Sequence, residues 1–227
     1  MAGCSKAYAQ TGGGTASGGS KSGAVSDPPK READGQYRIG SKVQVYDGNG
    51  KPVDDYFTYF PSKLIMGYDN AVILNLQPGG LALFFGKNNE HDAIGFVRNC
   101  IDKSIEWAAT AKQNNVRSLR KEIPYGDGYE VDDGTAWYGI KTQLYNLEYV
   151  YLMFTFLIGD IFEKGKEETW LVMQYLTQNQ ARSMSQGRFI CFREDDFARL
   201  KEMFSESYLA EIDKQEAAHA EQDALFE

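Results

Sequence analysis

Paired acids are the side chains here whose types and spacing best suit chemistry. Asp54-Asp55, Asp132-Asp133 and Asp195-Asp196 are adjacent carboxylates, and Glu130 stands two residues before the second pair. Two carboxylates in different surroundings can divide the acid and base roles of glycoside hydrolysis, and several together can hold Ca²⁺. Asp54-Asp55 and Glu130 to Asp133 fall in turn sequences, whereas Asp195-Asp196 open a helix, where the dipole alone favours acids. Solvated turns and caps are therefore expected at all three. A calcium loop over Asp47, Asn49, Asp54 and Asp55 fails on its fifth position, Lys51, and on the missing distal glutamate.

Aromatic residues give the binding lead. Tyr56, Phe57, Tyr59 and Phe60 crowd into five positions, and Trp137, Tyr138 and Tyr145 flank the second meander. Alternation along a strand turns some of these away from a one-sided core, where they could stack on sugar rings or anchor a partner protein. The competing expectation is a sheet covered on both faces, and it carries the larger weight.

Other chemistry has little to stand on. The two histidines, His91 and His219, lack companions at metal-ligand spacing, so neither a metal nor a cofactor is expected. No nucleophile elbow, zinc-protease, phosphate-loop or dinucleotide motif occurs. Cys100 and Cys191 read as buried small apolar residues or one disulfide. From Glu194 to Glu227 eleven acids face three bases, which accounts for the whole net charge of −8 and leaves a neutral body. The acidic tail, ending Asp223-Ala-Leu-Phe-Glu227, has a slight similarity to those of single-stranded-DNA-binding proteins. A neutral body without a basic aromatic groove argues against nucleic acid.

The first residues, Met-Ala-Gly-Cys, resemble the lipobox of bacterial lipoproteins, in which small residues precede a lipidated cysteine, making Cys4 the lipidation candidate. Ala7-Tyr8-Ala9 resembles a signal-peptidase site cut after Ala9. Residues 1–9 thus read as the remnant of an export signal. Residues 10–35 are a flexible tether rich in Gly and Ser, and Val25 is its one large aliphatic residue from Thr11 to Asp34. The location implied is outside the cytoplasm, periplasmic or membrane-anchored. The alternative is a cytoplasmic chain with a disordered tail.

The elements that must position these residues follow from periodicity. Leu147 to Ile158 is apolar except for Glu148 and Thr155. It is too short for a membrane helix of about 20 residues and rich in aromatic and β-branched side chains, so it reads as a central strand with both faces covered. Asn49-Gly50 marks a hairpin. Lys63 to Tyr68, Ala71 to Gln77 and Leu81 to Phe85 read as one meander. Ile94, Val97, Ile101, Ile105 and Ala108 mark an amphipathic helix, with Asn89 as its N-cap. A second meander runs from Val116 to Phe192 around a polar loop at 124–134, and a second helix, with Phe197, Leu200, Phe204 and Tyr208 on one face, starts at Asp195.

The chain therefore reads as one α+β domain over 36–212, made of two antiparallel meanders each followed by an amphipathic helix. Its halves, about 36–115 and 116–212, suggest an internal duplication. Residues 213–227 read as a solvated acidic tail. The expected function is non-enzymatic: an exported, lipoprotein-like domain that binds a protein partner or a surface glycan at the bacterial cell envelope, touching a membrane only through a lipid anchor. The alternative is a cell-envelope or glycan hydrolase using a carboxylate pair.

Overall fold

The longest apolar run becomes the most heavily paired strand. A computed structural model describes residues 29–33, 35–61, 68–77, 81–130, 136–144, 149–177 and 188–225. Its strands are β1 (Lys30–Arg31), β2 (Tyr37–Ile39), β3 (Val45–Asp47), β4 (Pro52–Val53), β5 (Tyr56–Phe60), β6 (Asn70–Leu76) and β7 (Leu81–Lys87). After helix α1 (Ala93–Gln113) come β8 (Leu119–Glu122), β9 (Asp127–Glu130), β10 (Ala136–Leu144), β11 (Tyr149–Gly159), β12 (Glu168–Thr177) and β13 (Arg188–Arg193). A 3-10 turn at Glu194–Asp196 leads into α2 (Phe197–Met203) and α3 (Glu206–Asp223).

Every pairing between the described strands is antiparallel, in the order β1-β2-β5-β6-β7-β10-β11-β12-β13-β3-β4, with β8 beside β11 and β9 beside β10. The class is α+β. Strands β5 to β7 precede α1, and β10 to β13 precede α2 and α3. The first half also sends β3 and β4 across to the free edge of β13, so the topology lends the duplication no further support.

β11 pairs with β12 along ten residues, from Val150↔Thr177 to Gly159↔Glu168, while β10 and β8 share its other edge. Val150, Leu152, Phe154, Phe156 and Ile158 all enter the main core beneath the helices. On the opposite face Met153 and Thr155 are buried, and Tyr151 and Leu157 are half-buried. There Trp170, Val172 and Cys191 are covered by Tyr46, Phe162 and Phe189. A strand buried on both faces has no use for polar alternation, which explains the unbroken apolar run.

The helices pack on the main-core face of the sheet. α1 buries Ile94, Val97, Ile101 and Ala108 of the stripe its spacing predicts, with Cys100 beside them, while Ile105 is half-buried. Its N-cap is Asp92 rather than Asn89: the Asp92 carboxylate accepts from Gly95 N–H at 2.7 Å. Asn88 instead closes the preceding turn by accepting from the Glu90 and His91 N–H groups. Gly40 has φ +64°, and a Cβ there would run into the Met203 sulfur of α2, so this turn requires glycine.

Residues read as tether and as solvated tail both contact the body. α3 continues to Asp223, and its Asp213 accepts from the Tyr59 hydroxyl at 2.9 Å. Glu216 accepts two bonds from Arg31, at 2.9 and 3.2 Å, and one from the Tyr37 hydroxyl at 3.0 Å. The Arg31 contact holds the Glu216 carboxyl below its ordinary value. Ordered structure therefore begins before residue 36 and runs past residue 212. Acids at α3's inner face are fixed by tyrosines that only the folded sheet presents, a feature no local pattern reports.

Candidate functional site

The sequence-derived acids separate in space. Asp54 is exposed, whereas the Asp55 side chain is fully buried and paired with Arg188 at 2.9 Å. Asp55 also accepts from Gln77 N–H at 2.6 Å. Burial pushes its carboxyl up, and the Gln77 and Arg188 contacts pull it only part of the way back. Because Asp55 follows β4, Gln77 follows β6 and Arg188 opens β13, this cluster ties together strands that are not neighbours in the strand order. Asp196 is likewise committed, to Arg199 at 2.8 Å and to Gln44 N–H at 3.3 Å. Asp195 is exposed. Glu130 ends β9, its side chain lying outside the described residues along with Asp132 and Asp133.

The aromatic cluster divides by strand alternation. Phe57 and Tyr59 are 3% and 0% exposed and belong to the main core. Phe57 stacks on Phe192 of β13 at 6.0 Å and meets Phe204 edge-on at 5.7 Å. Phe57 is thereby closed off from a ligand at the surface, whereas Tyr59 lines a small cavity beside α3. Tyr56 and Phe60 are half-buried, Tyr56 lying under the Arg38 guanidinium at 4.6 Å. Trp137 and Tyr138 lie on β10, with side chains outside the described residues, and Cys4 is itself outside the described residues. Cys100 and Cys191 are free and buried, and burial pushes the Cys191 thiol up to about 12. A thiol held protonated is no nucleophile. His91 and His219 are exposed, and no group of three metal-binding side chains occurs among the described residues.

A concavity lies elsewhere, at the carboxyl end of α1. The helix stops where Asn115 turns to φ +51°, and the Asn115 and Val116 N–H groups bond the Lys112 and Ala111 carbonyls. This left-handed stop satisfies the last carbonyls and lifts Arg117 clear of the helix. The starts of β12 and the end of β13 bring Glu167, Glu168, Arg193, Glu194 and Asp195 opposite, around a cleft of about 510 Å³. That volume suits a small ligand or a side chain of a partner. No family model, curated protein or solved structure matches the chain. What the cleft can do rests on its own chemistry.

Its base is apolar, formed by the buried Ala108, Ala111 and Ile158. Its walls carry ion pairs: Lys112 with Glu194, and Glu168 with both Arg193 at 3.3 Å and Lys166 at 3.0 Å. Arg193 also lies over the rings of Tyr46 at 4.6 Å and Trp170 at 5.1 Å, which fixes its orientation. Arg117, Glu167 and Asp195 form no ion pair among the described residues and face solvent. A smaller cavity of about 210 Å³ lies between α1, α3 and the β6–β7 pair, lined by Tyr59, Asn70, Arg98, Glu206 and Asp213. There burial raises the Asp213 carboxyl, and Asn70 Oδ1 is buried without a partner.

Sequence reasoning singled out Asp195 among the cleft residues but not Lys112, Arg117, Glu167 or Arg193. They sit at the ends of three elements, α1, β12 and β13, where a charge ordinarily signals only a cap or a turn. The one available signal was that three such ends, Lys112–Arg117, Glu167-Glu168 and Arg193–Asp195, carry both signs of charge.

Proposed function

We propose that this chain is a non-catalytic binding domain of the bacterial cell envelope, held by its N-terminal segment, that engages a protein partner through the cleft at the end of α1. The observation that carries the reading is the state of the acids. Asp55 and Asp196 are already neutralised by Arg188 and Arg199, while the unpaired charges Arg117, Glu167 and Asp195 gather around one concavity with an apolar base. Groups paired in the folded state are structural, and unpaired groups over a small apolar base suit recognition. A protein partner is favoured over a glycan because, among the described residues, no aromatic ring lines this cleft for sugar stacking. The Gly- and Ser-rich stretch before Lys30 gives the reach of a tether. No helix among the described residues is long and apolar enough to cross a membrane; in this reading the attachment is a lipid on Cys4.

Cell fractionation tests the location. The gene product, expressed with its genomic upstream sequence, should sediment with membranes and incorporate labelled palmitate. Cys4→Ala should lose the label and move to the soluble fraction. A wild-type protein found unlabelled in the cytoplasm would sink the envelope reading.

A further inference from the structure

We propose that the cavity between α1, α3 and the β6–β7 pair binds a small primary amine, its ammonium head held by Asp213 and Asn70 Oδ1. This site lies at the opposite end of α1 from the cleft and does not rest on the role proposed above. Two of the residues that line it have acceptors whose needs the fold leaves unmet. Asn70 opens β6, and its Oδ1 is buried without a partner. Asp213 has a neutral partner, the Tyr59 hydroxyl at 2.9 Å, and forms no ion pair among the described residues. A half-buried carboxylate and a buried carbonyl oxygen each cost stability until a donor reaches them.

The charges around the cavity give the sign. Its cations are committed: Lys87 to Asp92 at 3.4 Å, and Arg98 to Glu206 at 2.8 Å and to the Phe204 carbonyl at 2.9 Å. One turn further along α3, Glu216 is matched by Arg31. With these pairs set aside, the carboxylate left over is Asp213. An anion entering here would meet that carboxylate and the Asn70 oxygen. A protonated amine supplies the donors both lack, in charge-assisted bonds stronger than neutral ones.

Shape sets the size. Ile94 and Leu209, 1% and 6% exposed, give the cavity an apolar wall for a short alkyl stem. Its volume of about 210 Å³ lies below the roughly 300–1,000 Å³ of sites for drug-sized ligands, so the occupant is a molecule of few heavy atoms.

Saturation-transfer NMR on the full chain tests this with n-butylamine, and with n-butanol and butyrate as its neutral and anionic counterparts. Butylamine should give a signal that saturates with concentration and weakens as salt is added, and butanol and butyrate should give none. Asp213→Asn, which keeps an acceptor for the Tyr59 hydroxyl, should weaken butylamine binding by about tenfold. Asn70→Leu, close to asparagine in size, should weaken it by about fivefold, yet raise the thermal midpoint of the free protein by removing an unpaired acceptor. Glu221→Gln with Asp223→Asn, at the exposed end of α3, should leave binding unchanged, which separates the cavity from general attraction to an acidic protein.

Butylamine binding that ignores Asp213→Asn, or butanol or butyrate that binds as well, would overturn the inference. No butylamine signal from the folded protein would do the same and assign the cavity to water alone. Nα-acetyl-lysine amide displacing butylamine at a lower concentration would transfer the ammonium to a partner's lysine and overturn the free ligand.

Discussion

Arg188→Ala is expected to destabilise the fold by about 3–5 kcal/mol near neutral pH, the range for a buried carboxylate left without its partner. Asp55→Ala should cost less, about 2 kcal/mol, because Arg188 is 32% exposed and can be solvated, leaving mainly the Gln77 N–H unpaired. The two variants should also differ in pH dependence. Burial already raises the Asp55 carboxyl above its ordinary 3.8, and removing Arg188 raises it further. A folded-state value above the unfolded one adds stability below the unfolded value and loses it as pH rises through the folded one. The Arg188→Ala deficit should therefore shrink towards pH 4 and be full at pH 8, whereas Asp55→Ala, having no carboxyl there, should show no such recovery. Urea titrations at the two pH values measure both.

Phe156→Ala should be comparably severe, at about 3–5 kcal/mol. Phe156 is 0% exposed at the centre of β11, paired with Leu171 of β12 and meeting Trp107 of α1 edge-on at 5.8 Å. The substitution opens a cavity between sheet and helix and removes the ring contact that registers one against the other. Leu157→Ala, at the next residue but on the half-buried opposite face, should cost about 1–2 kcal/mol. A smaller midpoint shift for Leu157→Ala would place the main core on the helical side of β11. Equal losses would mean that the two faces bear on stability alike.

The contrast between those neighbours shows how much of the fold was legible. Val150 to Ile158 fixes its own alternation, and Ile94 to Ala108 its own helical stripe, because burial is periodic and side-chain type reports it directly. The loop expected over 124–134 contains β9, since the pairing of Asp127–Glu130 with β10 comes from a neighbouring strand and not from the residues themselves. Asn89 lost the N-cap to Asp92, three residues on, because either side chain can serve and register is set by which apolar residues meet the sheet.

The site was less legible than the fold. Asp54-Asp55 reads as an acid pair, yet alternation sends one carboxylate to water and the other into the interior, where Arg188, 133 residues away, awaits it. Tyr56 to Phe60 reads as an aromatic surface, yet Phe57 and Tyr59 face the core. The cleft is assembled from the ends of α1, β12 and β13, distant in sequence and unremarkable singly, so its charges acquire meaning only together.

Photo-crosslinking in intact cells is the measurement closest to the central claim, that the cleft at the end of α1 engages a protein partner. A photoreactive amino acid in place of Val116, half-buried in the cleft wall, should yield a discrete higher-mass adduct with a second protein of the envelope. The same group at Glu221, on the exposed end of α3, should not. Equal adducts from both positions, or none from Val116 with the protein folded and correctly located, would contradict the account.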